Sequence, residues 1–115
     1  MKIVLMLLAV AATTIHPALA EDQTPTDLQP GKTIAFDRNA GNCLACHAID
    51  DGELPGNSGP PLIQMQQRFP ERDVLRKQVW DATVRNPNTV MPPYGKHMIL
   101  TEEQIDQVVD YLLTL

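Results

Sequence analysis

Cys43-Leu44-Ala45-Cys46-His47 is the stretch whose residue types and spacing could do chemistry. Thiols at positions i and i+3 lie on one face of a helical turn, so both can reach one edge of a flat ring. C-x-x-C-H is the attachment pattern for c-type haem. Cys43 and Cys46 would add across two vinyl groups as thioethers, and His47 would turn its ring under the iron as proximal ligand. A structural disulfide would leave His47 unexplained. A thioredoxin-like redox pair belongs beside a βαβ pattern, and strand signals are absent here. The expectation is one covalent haem c.

A second axial donor is then needed, and the soft or imidazole candidates downstream are Met65, Met91, His97 and Met98. Met91 sits in Thr89-Val90-Met91-Pro92-Pro93-Tyr94-Gly95, where two prolines stiffen the backbone behind the sulfur. That suits a loop holding a weak thioether in place, so Met91 is the expected distal ligand. Met98 and His97 remain alternatives from the same segment, and Met65 reads as core filler. Ser58-Gly59-Pro60-Pro61-Leu62 is short and rigid. An iron-ligating His usually donates its other ring N–H to a carbonyl. Pro60 is the expected acceptor, against the plainer reading of an ordinary turn. Arg85 and Trp80 are candidate donors to the haem propionates.

These residues need elements to position them, and three helical segments are legible. Residues 33–48 form a first one, with Ile34 and Phe36 as early apolar anchors. Residues 52–61 hold three glycines and three prolines and must be loop. Pro70 suits a first helical position, and Leu75, Val79 and Ala82 follow on one face until Pro87 stops the helix at or before Asn86. Residues 86–94 are irregular. The last helix is announced by Thr101 and Gln104 as a capping box, followed by an apolar stripe of Ile105, Val108, Val109, Leu112 and Leu113. An all-α domain of three main helices and long loops is expected.

Composition agrees. The chain has 115 residues, a formal net charge of −5 and an apolar fraction of 43%. The acidic balance argues against nucleic acid as a partner, since phosphate binding needs clustered Lys and Arg. One Trp, two Tyr and two Phe are few for a core, so something other than side chains is expected to fill it. Lys2, the apolar run over residues 3–12 and Ala18-Leu19-Ala20 read as an export signal cleaved after Ala20, too short to span a bilayer. Residues 1–20 are thus the signal peptide, 21–30 a flexible polar leader, and 31–115 the folded domain. No later apolar run approaches spanning length. The expected location is the periplasm, with no membrane span after cleavage.

Taken together, the haem motif, Gly59-Pro60-x-Leu62, the Met-Pro loop and the final amphipathic helix resemble a class I cytochrome c. Gly41-Asn42-Cys43-Leu44-Ala45-Cys46-His47, Arg85-Asn86-Pro87-Asn88-Thr89-Val90-Met91-Pro92-Pro93-Tyr94-Gly95, Leu100-Thr101-Glu102-Glu103-Gln104-Ile105-Asp106 and Tyr111-Leu112-Leu113-Thr114-Leu115 look more narrowly like the SoxX family. SoxX is the monohaem subunit of the SoxAX cytochromes of bacterial thiosulfate oxidation. The resemblance covers residues 31–115. It implies a class I cytochrome c fold and iron ligation by His47 and Met91. It also implies a SoxA-type partner subunit carrying the reactive cysteine, with the SoxYZ carrier and a downstream cytochrome c as transient partners. In that setting the complex is an L-cysteine S-thiosulfotransferase and this chain its electron-accepting subunit. Many relatives have a small residue where this chain has Met98. The residues themselves are consistent with a relay: both cysteines are used by haem attachment, and a His/Met iron keeps no open position. A diffusible monohaem cytochrome c would carry the same ligands, and a haem-free C-x-x-C oxidoreductase is the reading from a different class.

Overall fold

The structure, a computed structural model, describes residues 27–115. The expected signal peptide and most of the expected leader lie outside these residues. Four α-helices follow in order: α1 (Gln29–Phe36), α2 (Met65–Arg68), α3 (Arg72–Trp80) and α4 (Glu102–Leu112). Two 3-10 turns, Cys43–Ala45 and Ala82–Val84, complete the regular structure, and no strand occurs among the described residues. No described helix is long and apolar enough to cross a membrane.

α4 forms as its sequence dictates. Thr101 Oγ1 accepts from the Gln104 backbone at 3.2 Å and Gln104 Oε1 accepts from the Thr101 backbone at 2.9 Å, so two end donors are satisfied reciprocally. Its buried residues are Ile105, Val108, Val109, Tyr111 and Leu112. α1 and α3 both pack on α4. Gly31 of α1 lies against the Gln107 carbonyl and Tyr111, which brings the two backbones close together. α3 buries Leu75 and Val79 inward. Outside, Arg72 pairs with Asp106 and Asp110, and Arg76 pairs with Asp106 and Glu102, at 2.7–3.2 Å.

The first helical segment departs from expectation at both ends. α1 begins at Gln29, inside the stretch read as leader, because Pro30 is tolerated in a first helical turn and Leu28 packs on the core. It ends at Phe36 rather than continuing to residue 48. Asp37 Oδ1 accepts from the Asn39 backbone at 2.8 Å, a local turn that competes with the helix. α3 also ends early, at Trp80. There Asp81 turns extended and its carboxylate accepts from the Thr83 backbone and hydroxyl, starting a new turn. The four-residue α2 was not legible as a helix. Met65 anchors it in the core, its N–H donating to the Leu115 carbonyl at 2.8 Å.

Candidate functional site

The haem-attachment motif sits on a 3-10 turn, not an α-helix. Asn42 is left-handed (φ 48°) and launches the turn, and the Cys46 and His47 N–H groups both donate to the Cys43 carbonyl at 3.1 and 3.0 Å. With three residues per turn, positions i and i+3 eclipse, so Cys43 and Cys46 fall in line along one side. The juxtaposition expected of an α-helical turn is reached by a tighter one. No disulfide joins Cys43 to Cys46, so both thiols are available to a cofactor. Burial pushes the Cys43 thiol up to about 11, which keeps it protonated.

His47 is fixed from two sides. Its Nδ1 stands 2.6 Å from the Pro60 carbonyl oxygen. A carbonyl only accepts, so Nδ1 is the donor in this bond and Nε2 is the nitrogen left to face a ligand. A Cβ on Gly59 would fall 2.3 Å from His47 Cε1, so only glycine lets the backbone lie against the ring face. The loop itself is held to the motif by bonds from the Gly56 N–H to the Leu44 carbonyl at 2.9 Å and from the Gly59 N–H to the Cys46 carbonyl at 2.8 Å, and to the residue after it by the Leu62 N–H on the Ala48 carbonyl at 2.9 Å.

These groups open on one cavity of about 300 Å³. Cys43, Cys46, His47, Pro60 and Met91 all line it, and the rest of its wall includes Leu62, Met65, Phe69, Leu75, Val79, Leu100, Val108 and Leu112. The structure thus brings the two cysteines, His47, the expected carbonyl acceptor Pro60 and Met91 to one cavity. Met91 is half-buried, its N–H donating to Thr89 Oγ1 at 3.1 Å. Met65 also lines the wall but is 2% exposed and part of the core. Met98 and His97 do not line the cavity, and Met98 is 88% exposed.

Three features of the site were not read from sequence. Among the lining residues Arg68 carries the one permanent positive charge, and its guanidinium donates to the Pro61 carbonyl at 2.9 Å. Arg85 and Trp80, the expected propionate donors, do not line the cavity. Arg85 instead stacks over Phe69. Tyr94 is buried against the cavity, and its hydroxyl donates to the Gly41 carbonyl, tying the Met91 loop to the residues just before Cys43. Burial holds the Tyr94 phenol above its usual range, so it remains a donor. The scarcity of aromatics was the available signal that each Tyr had a particular task. Asp81, the buried charged side chain among the described residues, holds Lys96 at 2.9 Å.

A family model described as cytochrome c oxidase, cbb3-type, subunit III matches residues 28–112. The chain belongs to that family. Among solved structures, this cytochrome domain is similar to a chain in the crystal structure of SoxXA from P. pantotrophus. The match has a TM-score of 0.69 and 30% identity over 80% of this chain and 83% of that one. The fold is therefore the all-α cytochrome c fold, and the domain is a SoxX-like c-type cytochrome. A cbb3-type cytochrome c oxidase subunit CcoP from Azospirillum sp. (strain B510) is 34% identical, over 64% of this chain and 27% of that protein. An uncharacterized lipoprotein from Aquifex aeolicus (strain VF5) is 32% identical, over 63% of this chain and 35% of that protein. The chain spans about a third of the length of these curated relatives.

Membership of this family implies covalent haem c. The residues present fit it: an apolar-walled cavity, two protonatable thiols in line, an imidazole with Nε2 unclaimed, and one cation suited to a cofactor bearing carboxylates.

Proposed function

We propose that this chain is the monohaem electron-transfer subunit of a SoxAX-type L-cysteine S-thiosulfotransferase in bacterial thiosulfate oxidation. The observation that carries this reading is the match to a chain of SoxXA over 80% of this chain at 30% identity. Haem c, when bound, supplies an iron that gains and loses one electron at a potential its axial donors set.

The chain's own residues do the rest. Cys43 and Cys46 hold the cofactor as thioethers, which exhausts the two cysteines of the sequence. No thiol then remains to act as a nucleophile, which agrees with a reactive cysteine on a SoxA-type partner, as the resemblance to SoxX implies. His47 presents Nε2 as the proximal donor. The Pro60 carbonyl holds its Nδ1 proton, fixing ring orientation and raising ligand basicity. Met91 supplies the distal thioether, which favours the reduced iron and so suits an electron acceptor. Arg68 offsets the charge of a propionate. With His47 and Met91 both ligating the iron no position would be left for substrate, so the chain would relay electrons while the sulfur–sulfur bond forms elsewhere. SoxYZ is the carrier and a downstream cytochrome c the acceptor. Residues 1–20 direct export to the periplasm and are removed after Ala20.

The family model and the CcoP relative favour a second reading, an electron-carrying cytochrome domain that serves a terminal oxidase. Purification of the native protein from the periplasm separates the two. A stable complex with a second haem protein supports the SoxAX assignment. A lone monomer, or association with an oxidase, supports the second reading and overturns the first.

A further inference from the structure

The segment over residues 86–99 carries Met91 past the cavity, and its two halves are secured differently. Before Met91 the bonds are local: the Asn88 N–H donates to Asn86 Oδ1 and the Thr89 N–H to the Asn86 carbonyl. Beyond Met91 the chain is tied to the end of α3. The Gly95 and Lys96 N–H groups both donate to the Trp80 carbonyl, at 3.1 and 3.3 Å. The Trp80 ring lies so close to Gly95 that a Cβ there would fall 2.1 Å from it. Lys96 Nζ then donates to Asp81 Oδ2 at 2.9 Å.

Asp81 is unusual in this molecule. It is 7% exposed, and a nearly buried carboxylate is costly unless both oxygens are satisfied. Its Oδ1 is occupied by the Thr83 backbone and hydroxyl. Among the described residues, the side-chain partner of Oδ2 is Lys96. The sequence places Lys96 five residues after Met91, so this bond pins the backbone a short stretch beyond the thioether. The hydroxyl of Tyr94 fastens the same stretch to Gly41, just before Cys43.

We infer that Asp81 is a positioning residue for the Met91 thioether: with Lys96 and the Trp80–Gly95 contact it latches the Met91 segment against the cavity and sets how readily another ligand displaces Met91. The inference rests on the reading of Met91 as distal ligand. Asp81 does not line the cavity and acts through the backbone between Lys96 and Met91. Its effect is expected in ligand exchange rather than in folding alone.

The test uses the ferric holoprotein, imidazole as competing ligand, and the near-infrared charge-transfer band of Met–iron ligation as readout. Asp81→Asn and Lys96→Ala break the latch from its buried and its exposed side. Both are expected to lower the imidazole concentration for half-displacement by about tenfold, the scale of one charge-assisted hydrogen bond. Lys96 is half exposed, so its variant remains informative if Asp81→Asn fails to fold. Arg72→Gln, which loosens α3 from α4 away from the loop, serves as the control. It is expected to lower the denaturation midpoint while leaving imidazole affinity unchanged. Wild-type affinity in both latch variants overturns the inference, and so does an equal shift in Arg72→Gln. If instead Met91→Ala retains the band, the ligand assignment itself fails, a result distinct from failure of the latch.

Discussion

The Pro60 carbonyl accepts the Nδ1 proton of His47 across 2.6 Å, from a loop thirteen positions further along the chain. Pro60 has no N–H of its own to compete, and its fixed φ limits how the carbonyl can swing. The neighbouring Gly59 closes the other side of the ring. Gly59→Ala adds a Cβ where His47 Cε1 already stands, and the ring must tilt or the loop must shift. The expected outcome is a holoprotein with a heterogeneous low-spin spectrum and reduced haem retention. Unchanged electron paramagnetic resonance g-values would show that the loop absorbs the extra carbon.

Met91 and Met98 provide an internal comparison, because one lines the cavity and the other is 88% exposed. Met91→Ala is expected to abolish the near-infrared Met–iron band. It should also lower the reduction potential by on the order of 0.1 V or more, within the ~0.8 V range that axial ligands span. Met98→Ala is expected to change neither. Spectroelectrochemical titration of both variants checks this. Loss of the band in Met98→Ala alone would transfer the ligand role to Met98.

Tyr94→Phe removes the donor to the Gly41 carbonyl, a buried contact between the Met91 segment and the start of the haem motif. An acceptor left unpaired in the interior costs about 1–2 kcal/mol. Guanidinium denaturation of the holoprotein should register that loss as a lower midpoint at unchanged slope. No loss would mean that solvent reaches Gly41 in the variant.

Asp106 links Arg72 and Arg76 across the α3–α4 seam, and its hydrogen bonds to Arg76 and then Arg72 hold its carboxyl below the usual value of 3.8. A lowered folded-state pKa contributes stability above the unfolded pKa and loses it as pH falls through the folded one. Asp106→Asn should therefore be less stable than wild type at pH 7 and at pH 5, by about 1 kcal/mol for a half-exposed network. The gap should close only as the pH drops below 3.8. Urea melts at these pH values read the difference directly, and a gap that persists at pH 2 would assign it to packing instead.

How much was legible in the sequence follows the range of each interaction. The start of α4 and most of its buried face were readable because its capping box and apolar stripe are local, although Leu113 falls just past its end and Tyr111 joins the buried face. The haem motif was readable because thioether chemistry demands a fixed spacing, and its conformation was not, since α-helical and 3-10 turns both bring Cys43 and Cys46 together. α1 was read too long because the Asp37–Asn39 turn is weaker in pattern than Ile34 and Phe36 before it. The Tyr94–Gly41 bond spans 53 positions and the Asp81–Lys96 pair 15, and neither leaves a periodic trace. Arg68 escaped notice because a lone cation on a four-residue helix resembles any solvated charge. The Pro61 and Ile63 carbonyls it meets show where it points.

The proposed division of labour is tested most directly by stopped-flow absorbance of the haem in the purified chain, mixed with thiosulfate and the SoxYZ-type carrier, with and without the SoxA-type subunit. With both of its cysteines taken up by the cofactor, this chain alone should stay oxidised, and adding the partner should produce rapid reduction of its haem. Reduction at the same rate in the absence of the partner would contradict the account, because the chain would then be making the sulfur–sulfur bond itself.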